Sequence, residues 1–236
     1  MDKIKEIRRF FLLQVNDALF PIGGYSHSQG LETYIQQGIV HDEKTAADYI
    51  RRKLKLNLAC TDLLGVRLAY ESALKENVAA LDDLEEILGA SRIPMEQREA
   101  SRKMGSRFTK TICKLPQENI PMEKGKSLKN IWKPEGKACK PLLRVWGFLC
   151  SNGNRRRRNL VSLSLCPDLC NGDKLCKNHS AESECRQKLL CGCYEEFEDI
   201  LSYISGCTEE DLCLSAPGFD IRGIQHEKLY SRLYMS

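Results

Sequence analysis

Seven potential soft-metal ligands crowd one stretch of this chain: Cys166, Cys170, Cys176, His179, Cys185, Cys191 and Cys193. Thiolate sulfur and imidazole nitrogen are what zinc binds. The spacing argues against a site, because the run holds one CxxxC and one CxC, no paired CxxC knuckles, and no hydrophobic strand or helix pattern to frame the ligands. No metal and no cofactor is expected. A disulfide framework is disfavoured as well, since the chain reads as cytosolic.

Arg155–Arg158, with lysines and with Trp132 and Trp146 nearby, is the pattern that could hold phosphates. Charge runs are usually solvated faces, and no recognised RNA or DNA module surrounds this one, so nucleic-acid binding is not expected. His27 lies between Ser26 and Ser28 after Gly23-Gly24-Tyr25, where an imidazole could be a base or a transient ligand. In a Gly/Ser turn it more often caps or packs. The paired glycines are no phosphate loop, because no Gly-Lys-Ser/Thr follows. His226, beside Glu227 near the C-terminus, is expected at a surface or an interface. No Ser/His/Asp set, carboxylate pair or dinucleotide fingerprint can be assembled, so the chain is not expected to be an enzyme.

The elements that would position these residues are helical. Ile7, Phe10, Phe11 and Val15 predict a helix from Ile4 to Val15 that stops at Asp17-Ala-Leu-Phe-Pro-Ile-Gly-Gly. A short helix follows over 29–37. A long one is predicted over 42–75, with Ala46, Ile50, Leu54 and Leu58 at intervals of four and an apolar face wide enough for a central position. Further helices are predicted over 78–88, over 95–112 behind Pro94, and over 194–204. Thr208-Glu-Glu-Asp211 has the order of a capping box. Pro217-Gly218 reads as a break. Asp220–Tyr234 then places Ile221, Ile224, Leu229 and Leu233 among charged residues, as in an amphipathic helix that docks on a core or a partner. Nothing before residue 113 alternates like a strand.

The bulk composition excludes two classes. At 236 residues with 42% apolar and 29% charged side chains, the chain can bury a core and is neither globally disordered nor a membrane protein. No apolar run approaches the roughly 20 residues of a spanning helix, and the first ten residues are too charged for a signal core, which places the chain in the cytoplasm. The net charge of +4 conceals a split: residues 113–193 hold 16 Lys/Arg against 7 Asp/Glu and nine of the twelve cysteines. Such asymmetry marks a boundary.

Three segments carry a family resemblance. The phrase from Leu13 to Tyr34, Leu-Gln-Val-Asn-Asp-Ala-Leu-Phe-Pro-Ile-Gly-Gly-Tyr-Ser-His-Ser-Gln-Gly-Leu-Glu-Thr-Tyr, resembles the opening of UreF proteins. Ser91–Ile112 is similar to that family's Arg-rich helix, and Ala216–Ser236 to its terminal signature. The resemblance covers roughly residues 4–113 and 187–236. It implies an all-α protein, one helical-bundle domain over 1–236, that acts without catalysis as a dimeric scaffold in urease maturation. Its implied partners are UreD (also called UreH), the GTPase UreG and the urease apoprotein that receives nickel. The implied partner-binding residues are Tyr25, His226, Glu227, Tyr230, Arg232, Leu233 and Tyr234, with Tyr25 and Arg232 facing UreG. The alternative class is a Cys/Arg-rich zinc- or nucleic-acid-binding protein.

Residues 114–186 depart from that pattern and stand as an anomalous Cys/Arg-rich insert in place of expected helices. The family's Gly/Ala-rich helix, its Tyr-Leu-Tyr-Ala-Gln-Thr-Ser helix and its Pro-Leu-Ser-Gln turn are missing. Codons chosen within the genetic code and read one base later restore all three over 138–186, turn the four arginines into glutamates, and rejoin the written frame at Gln187. The segment from between Cys113 and Ala138 up to Arg186 is therefore expected to be out of frame. Sequencing the gene tests this. The codons for Cys166–His179, read one base later, are expected to give Ala-Gln-Thr-Ser-Ala-Met-Val-Thr-Asn-Cys-Val-Lys-Thr-Ile; any other product refutes the frame reading.

Overall fold

The computed structural model describes residues 3–17, 19–22, 29–115, 188–189, 191–214 and 216–230. In chain order its helices are α1 (Lys3–Val15), α2 (Leu31–Gln36), α3 (Glu43–Arg52), a π-helical stretch (Lys53–Leu63), α4 (Leu64–Leu74), α5 (Val78–Ser91), α6 (Met95–Lys114), α7 (Tyr194–Gly206), a 3-10 turn (Glu209–Asp211) and α8 (Pro217–His226). No strand occurs among the described residues, and the all-α class that the resemblance implies is the one found. None of these helices is long and apolar enough to cross a membrane.

Local chemistry explains the boundaries. Asp42 starts α3 with a reciprocal cap: its Oδ1 accepts from the Thr45 amide at 2.8 Å, and Thr45 Oγ1 accepts from the Asp42 amide at 3.0 Å. The Thr45 amide and hydroxyl both donate to the Asp42 carboxylate and hold it below its ordinary range. The same device, predicted at Thr208 and Asp211, closes the 3-10 turn. Pro217 opens α8 at a first-turn position, where a missing amide proton costs nothing, so the helix starts three residues before the expected Asp220.

The helix predicted over 42–75 is present, with its middle wound differently. From Lys53 to Leu63 the ladder runs i to i+5, and the Leu64 amide still bonds the Ala59 carbonyl. Leu54, Leu58 and Leu63 are buried at intervals of four and five, too wide for an α-helical stripe. The wider winding keeps all three on one side.

The chain divides into two compact units. Unit one comprises the described residues of 1–24, 65–90 and 99–163. Its interior includes Phe11, Val15, Leu81, Leu84, Phe108 and Ile112, with the Phe20 and Phe108 ring centroids 5.6 Å apart. On α1 the inward pair is Phe11 and Val15, one turn apart, whereas Ile7 and Phe10, expected on the same stripe, are exposed. Gly65 lies against Leu88; a Cβ there would come within 2.7 Å of a Leu88 methyl.

Unit two comprises the described residues of 25–64, 91–98 and 164–236. Within it α7 packs on the π-helical stretch through Cys193, Phe197, Ile200, Ile204 and Cys207, a stripe with three- and four-residue spacing. Arg51 Nε and Lys55 Nζ both bind the Glu196 carboxylate, the former at 2.8 Å, and together hold it below the usual carboxylate range. The Asp62 carboxyl meets Arg92 at 2.8 Å. Burial pushes that carboxyl up, but Arg92 and the Thr61 hydroxyl outweigh burial and hold it low. Leu31, Val40, Ala46 and Leu189 form a further cluster beneath Tyr34, Tyr49 and Ile50.

Candidate functional site

The densest set of long-range polar contacts in unit two gathers around α8. The helix packs on α2. Two glycines set the approach: Gly30, at φ +92°, precedes α2, and a Cβ on it would stand 3.0 Å from the Gly223 nitrogen. A Cβ on Gly223 would in turn lie 2.6 Å from the Pro94 ring. Backbone therefore meets backbone on one side and a rigid ring on the other.

Polar bonds fix the register. Thr33 Oγ1 donates to the Arg222 carbonyl at 3.1 Å, and the Tyr34 hydroxyl donates to the Gly218 carbonyl at 3.0 Å. The Tyr34, Tyr49 and Phe219 rings form a triangle with centroids 5.1 to 6.1 Å apart, and the Lys53 ammonium stands 4.9 Å over the Phe219 ring. Burial pushes the Tyr34 hydroxyl up, partly offset by the Arg222 guanidinium 5.6 Å over its ring.

At the end of α8 a buried histidine lies between two glutamates. His226 is 1% exposed and Glu32 is 2% exposed. The imidazole Nε2 lies 3.2 Å from Glu32 Oε2, and Nδ1 lies 3.0 Å from Glu96 Oε2. A neutral imidazole donates through one nitrogen only. Both contacts close as hydrogen bonds when the three side chains together hold two protons, which is one more than a neutral ring between two carboxylates. The next residue extends the clamp, because Glu227 Oε1 accepts from the Met95 amide at 2.6 Å and from the Glu96 amide at 3.4 Å. A carboxylate at a helix N-terminus satisfies orphan amides and complements the helix dipole.

Two expectations change here. His226, expected at a surface or an interface, is among the most buried side chains of the described residues. The face that α8 buries is Phe219, Gly223 and His226, spaced four and three, while Ile221 and Ile224 point outward at 49% and 37% exposure. The apolar pair misled because a glycine and a histidine, neither scored as apolar, occupy the true inner stripe. Glu227, expected to face a partner, caps α6 within the chain. The helix also ends at His226 instead of running to Tyr234.

Tyr230 lies four residues beyond and is wholly exposed, at 106%. Ile93 and Met95, either side of buried Pro94, are exposed too. Tyr25, Arg232, Leu233 and Tyr234 lie outside the described residues, as do His27, Trp132, Trp146, Arg155–Arg158 and the ligand candidates Cys166, Cys170, Cys176, His179 and Cys185. Of the remaining two, Cys191 is exposed and Cys193 is buried on the inner stripe of α7. Among the described residues no three His, Cys, Asp or Glu side chains group as metal ligands. Sequence reasoning missed Glu32 and Glu96. The signal was an acidic residue at the start of each of two helices, meaningful only once the fold brings both to one histidine.

A family model described as UreF matches residues 40–163, and so runs past the end of α6. The urease accessory protein UreF of Bacillus sp. (strain TB-90) is 30% identical over 233 residues, covering 97% of this chain and 99% of that protein. Its namesake from Lachnoclostridium phytofermentans is 28% identical over 236 residues, covering 95% and 97%. That of Actinobacillus pleuropneumoniae serotype 3 is 27% identical over 237 residues, with the same coverage.

The cluster makes a direct prediction. Replacing His226 with alanine removes the imidazole that both Glu32 and Glu96 contact and is expected to cost about 3 to 5 kcal/mol of stability. Gly223→Ala drives a methyl into Pro94 and is expected to cost about 1 to 3 kcal/mol. Denaturant midpoints at neutral pH measure both, and a change below about 0.5 kcal/mol for either contradicts the packing described.

Proposed function

The chain belongs to the UreF family of urease accessory proteins, and from that premise we propose that it is a non-catalytic scaffold for nickel insertion into apo-urease. It joins UreD/UreH to the GTPase UreG and delivers the assembly to the urease apoprotein, working as a homodimer. Nickel is cargo in this reading.

The observation that carries the proposal is the contrast at the end of α8. A helix is pinned from inside by a buried Glu-His-Glu cluster, yet the residues that follow lead to a wholly exposed tyrosine. A protein that needs this segment only for its own core has no use for a bare aromatic ring there. Aromatic and arginine anchors carry a disproportionate share of interface energy when they enter a partner's pocket, and they do so best on a rigid mount. Tyr230, Arg232, Leu233 and Tyr234 are the proposed anchors for UreD/UreH. Tyr25 and Arg232 are proposed for the surface that meets UreG. His226 and Glu227 act on the same interface indirectly, by fixing where the tail begins.

The two roles separate by experiment. Tyr230→Ala is expected to weaken capture by immobilised UreD/UreH by about tenfold or more, equivalent to about 1.4 kcal/mol, with the denaturation midpoint unchanged. His226→Ala is expected to lower both. Unaltered capture by Tyr230→Ala removes Tyr230 from the interface, and loss of stability in that variant assigns it to the fold.

A further inference from the structure

Three thiols lie in one small part of unit two: Cys60 in the π-helical stretch, Cys207 just after α7, and Cys213 shortly before α8. The Cys213 amide donates to the Cys60 carbonyl at 2.8 Å. That direct backbone bond sets the two residues side by side, as a disulfide requires, with its Cα separation of about 4.4 to 6.8 Å. Cys213 also has φ +61°, a left-handed conformation that a cysteine rarely adopts. Neither observation applies to Cys207, whose Sγ donates to the Tyr203 carbonyl 3.3 Å away within its own turn.

The surroundings supply access. Cys60 is itself buried but lines an open groove of about 1090 Å³, whose walls include Tyr49, Leu56, Tyr203, Leu214 and Phe219. A molecule of the size of a small peptide fits a space of that volume. In the present arrangement the Cys60 Sγ lies 3.7 Å from the Tyr203 hydroxyl, and the thiols of Cys60 and Cys207 push that hydroxyl well up. The Cys213 thiol faces Ser91 instead.

We propose that Cys60 and Cys213 are a reversible disulfide pair, oxidised by a low-molecular-weight disulfide that enters the groove. The Cys60 thiol loses its proton to solvent, and its thiolate attacks one sulfur of the small disulfide, expelling a thiolate that takes up a proton. The Cys213 thiol then ionises and its sulfur attacks Cys60 in the mixed disulfide, expelling the second small thiolate. Two protein thiols are oxidised and one small disulfide is reduced to two thiols. Burial pushes the Cys213 thiol up, so the second step quickens as pH rises. The bond closes a long loop and fastens the segment leading into α8 to the π-helical stretch, which restricts the unfolded chain. This inference is independent of the scaffold reading.

The test is a peptide map of the reduced full-length chain after incubation with oxidised glutathione under native conditions and an acid quench. The expected dominant link is Cys60 to Cys213, absent from C60S and C213S, retained in C207S, and formed faster at pH 8.5 than at pH 7. Oxidation is expected to raise the denaturation midpoint of the wild-type chain, and dithiothreitol to return it. A link from Cys60 to Cys207, or glutathione retained on Cys60 with Cys213 still reduced, overturns the proposal. Far-UV spectra show which serine variants fold, and for any that does not, the wild-type map decides alone.

Discussion

An imidazole held between two carboxylates in the interior is the contact on which the arrangement of unit two depends. Glu32 comes from α2, Glu96 from the first turn of α6, and His226 from the last turn of α8. These segments are far apart in sequence, and the histidine joins all three. Desolvating three ionisable groups is costly, and only close geometry offsets that cost. The cluster is therefore intolerant of displacement, a property that apolar packing lacks. Leucines in its place would hold the helices together while allowing them to slide.

The rest of the local structure serves that geometry. Gly30 and Gly223 let α2 and α8 approach until backbone touches backbone, and Pro94 sets the distance on the other side. Glu227 turns the residue next to the histidine into a cap for α6, so one dipeptide secures two helix ends. Thr33, Tyr34 and the aromatic triangle fix the start of α8 in the same register. Tyr230 thus stands in solvent four residues past the clamp.

Much of this was legible in the residues, for physical reasons that differ from place to place. The helices over 3–15, 78–91, 95–114 and 194–206 follow from apolar spacing, and the caps at Asp42 and Thr208 follow from side chains that reach only local amides. Such signals depend on neighbours in sequence. The π winding of 53–63 was not legible, although the four-residue interval of Ala46, Ile50, Leu54 and Leu58 was a trace of it, since that interval drifts around an α-helix. The inner face of α8 was misread because Gly223 and His226 earn their burial from Pro94, Glu32 and Glu96, none of which is near in sequence. His226, which the family resemblance implies as a partner-binding residue, lies buried between Glu32 and Glu96.

The central claim is that Glu32 and His226 are energetically coupled in fixing α8. A double-mutant cycle with Glu32→Gln and His226→Gln, read by denaturant unfolding at neutral pH, tests it most directly. The account predicts that the two losses are non-additive by about 2 kcal/mol, as for buried charged partners in contact. Losses that sum to within about 0.5 kcal/mol of the double variant, the behaviour of independent sites, would contradict it.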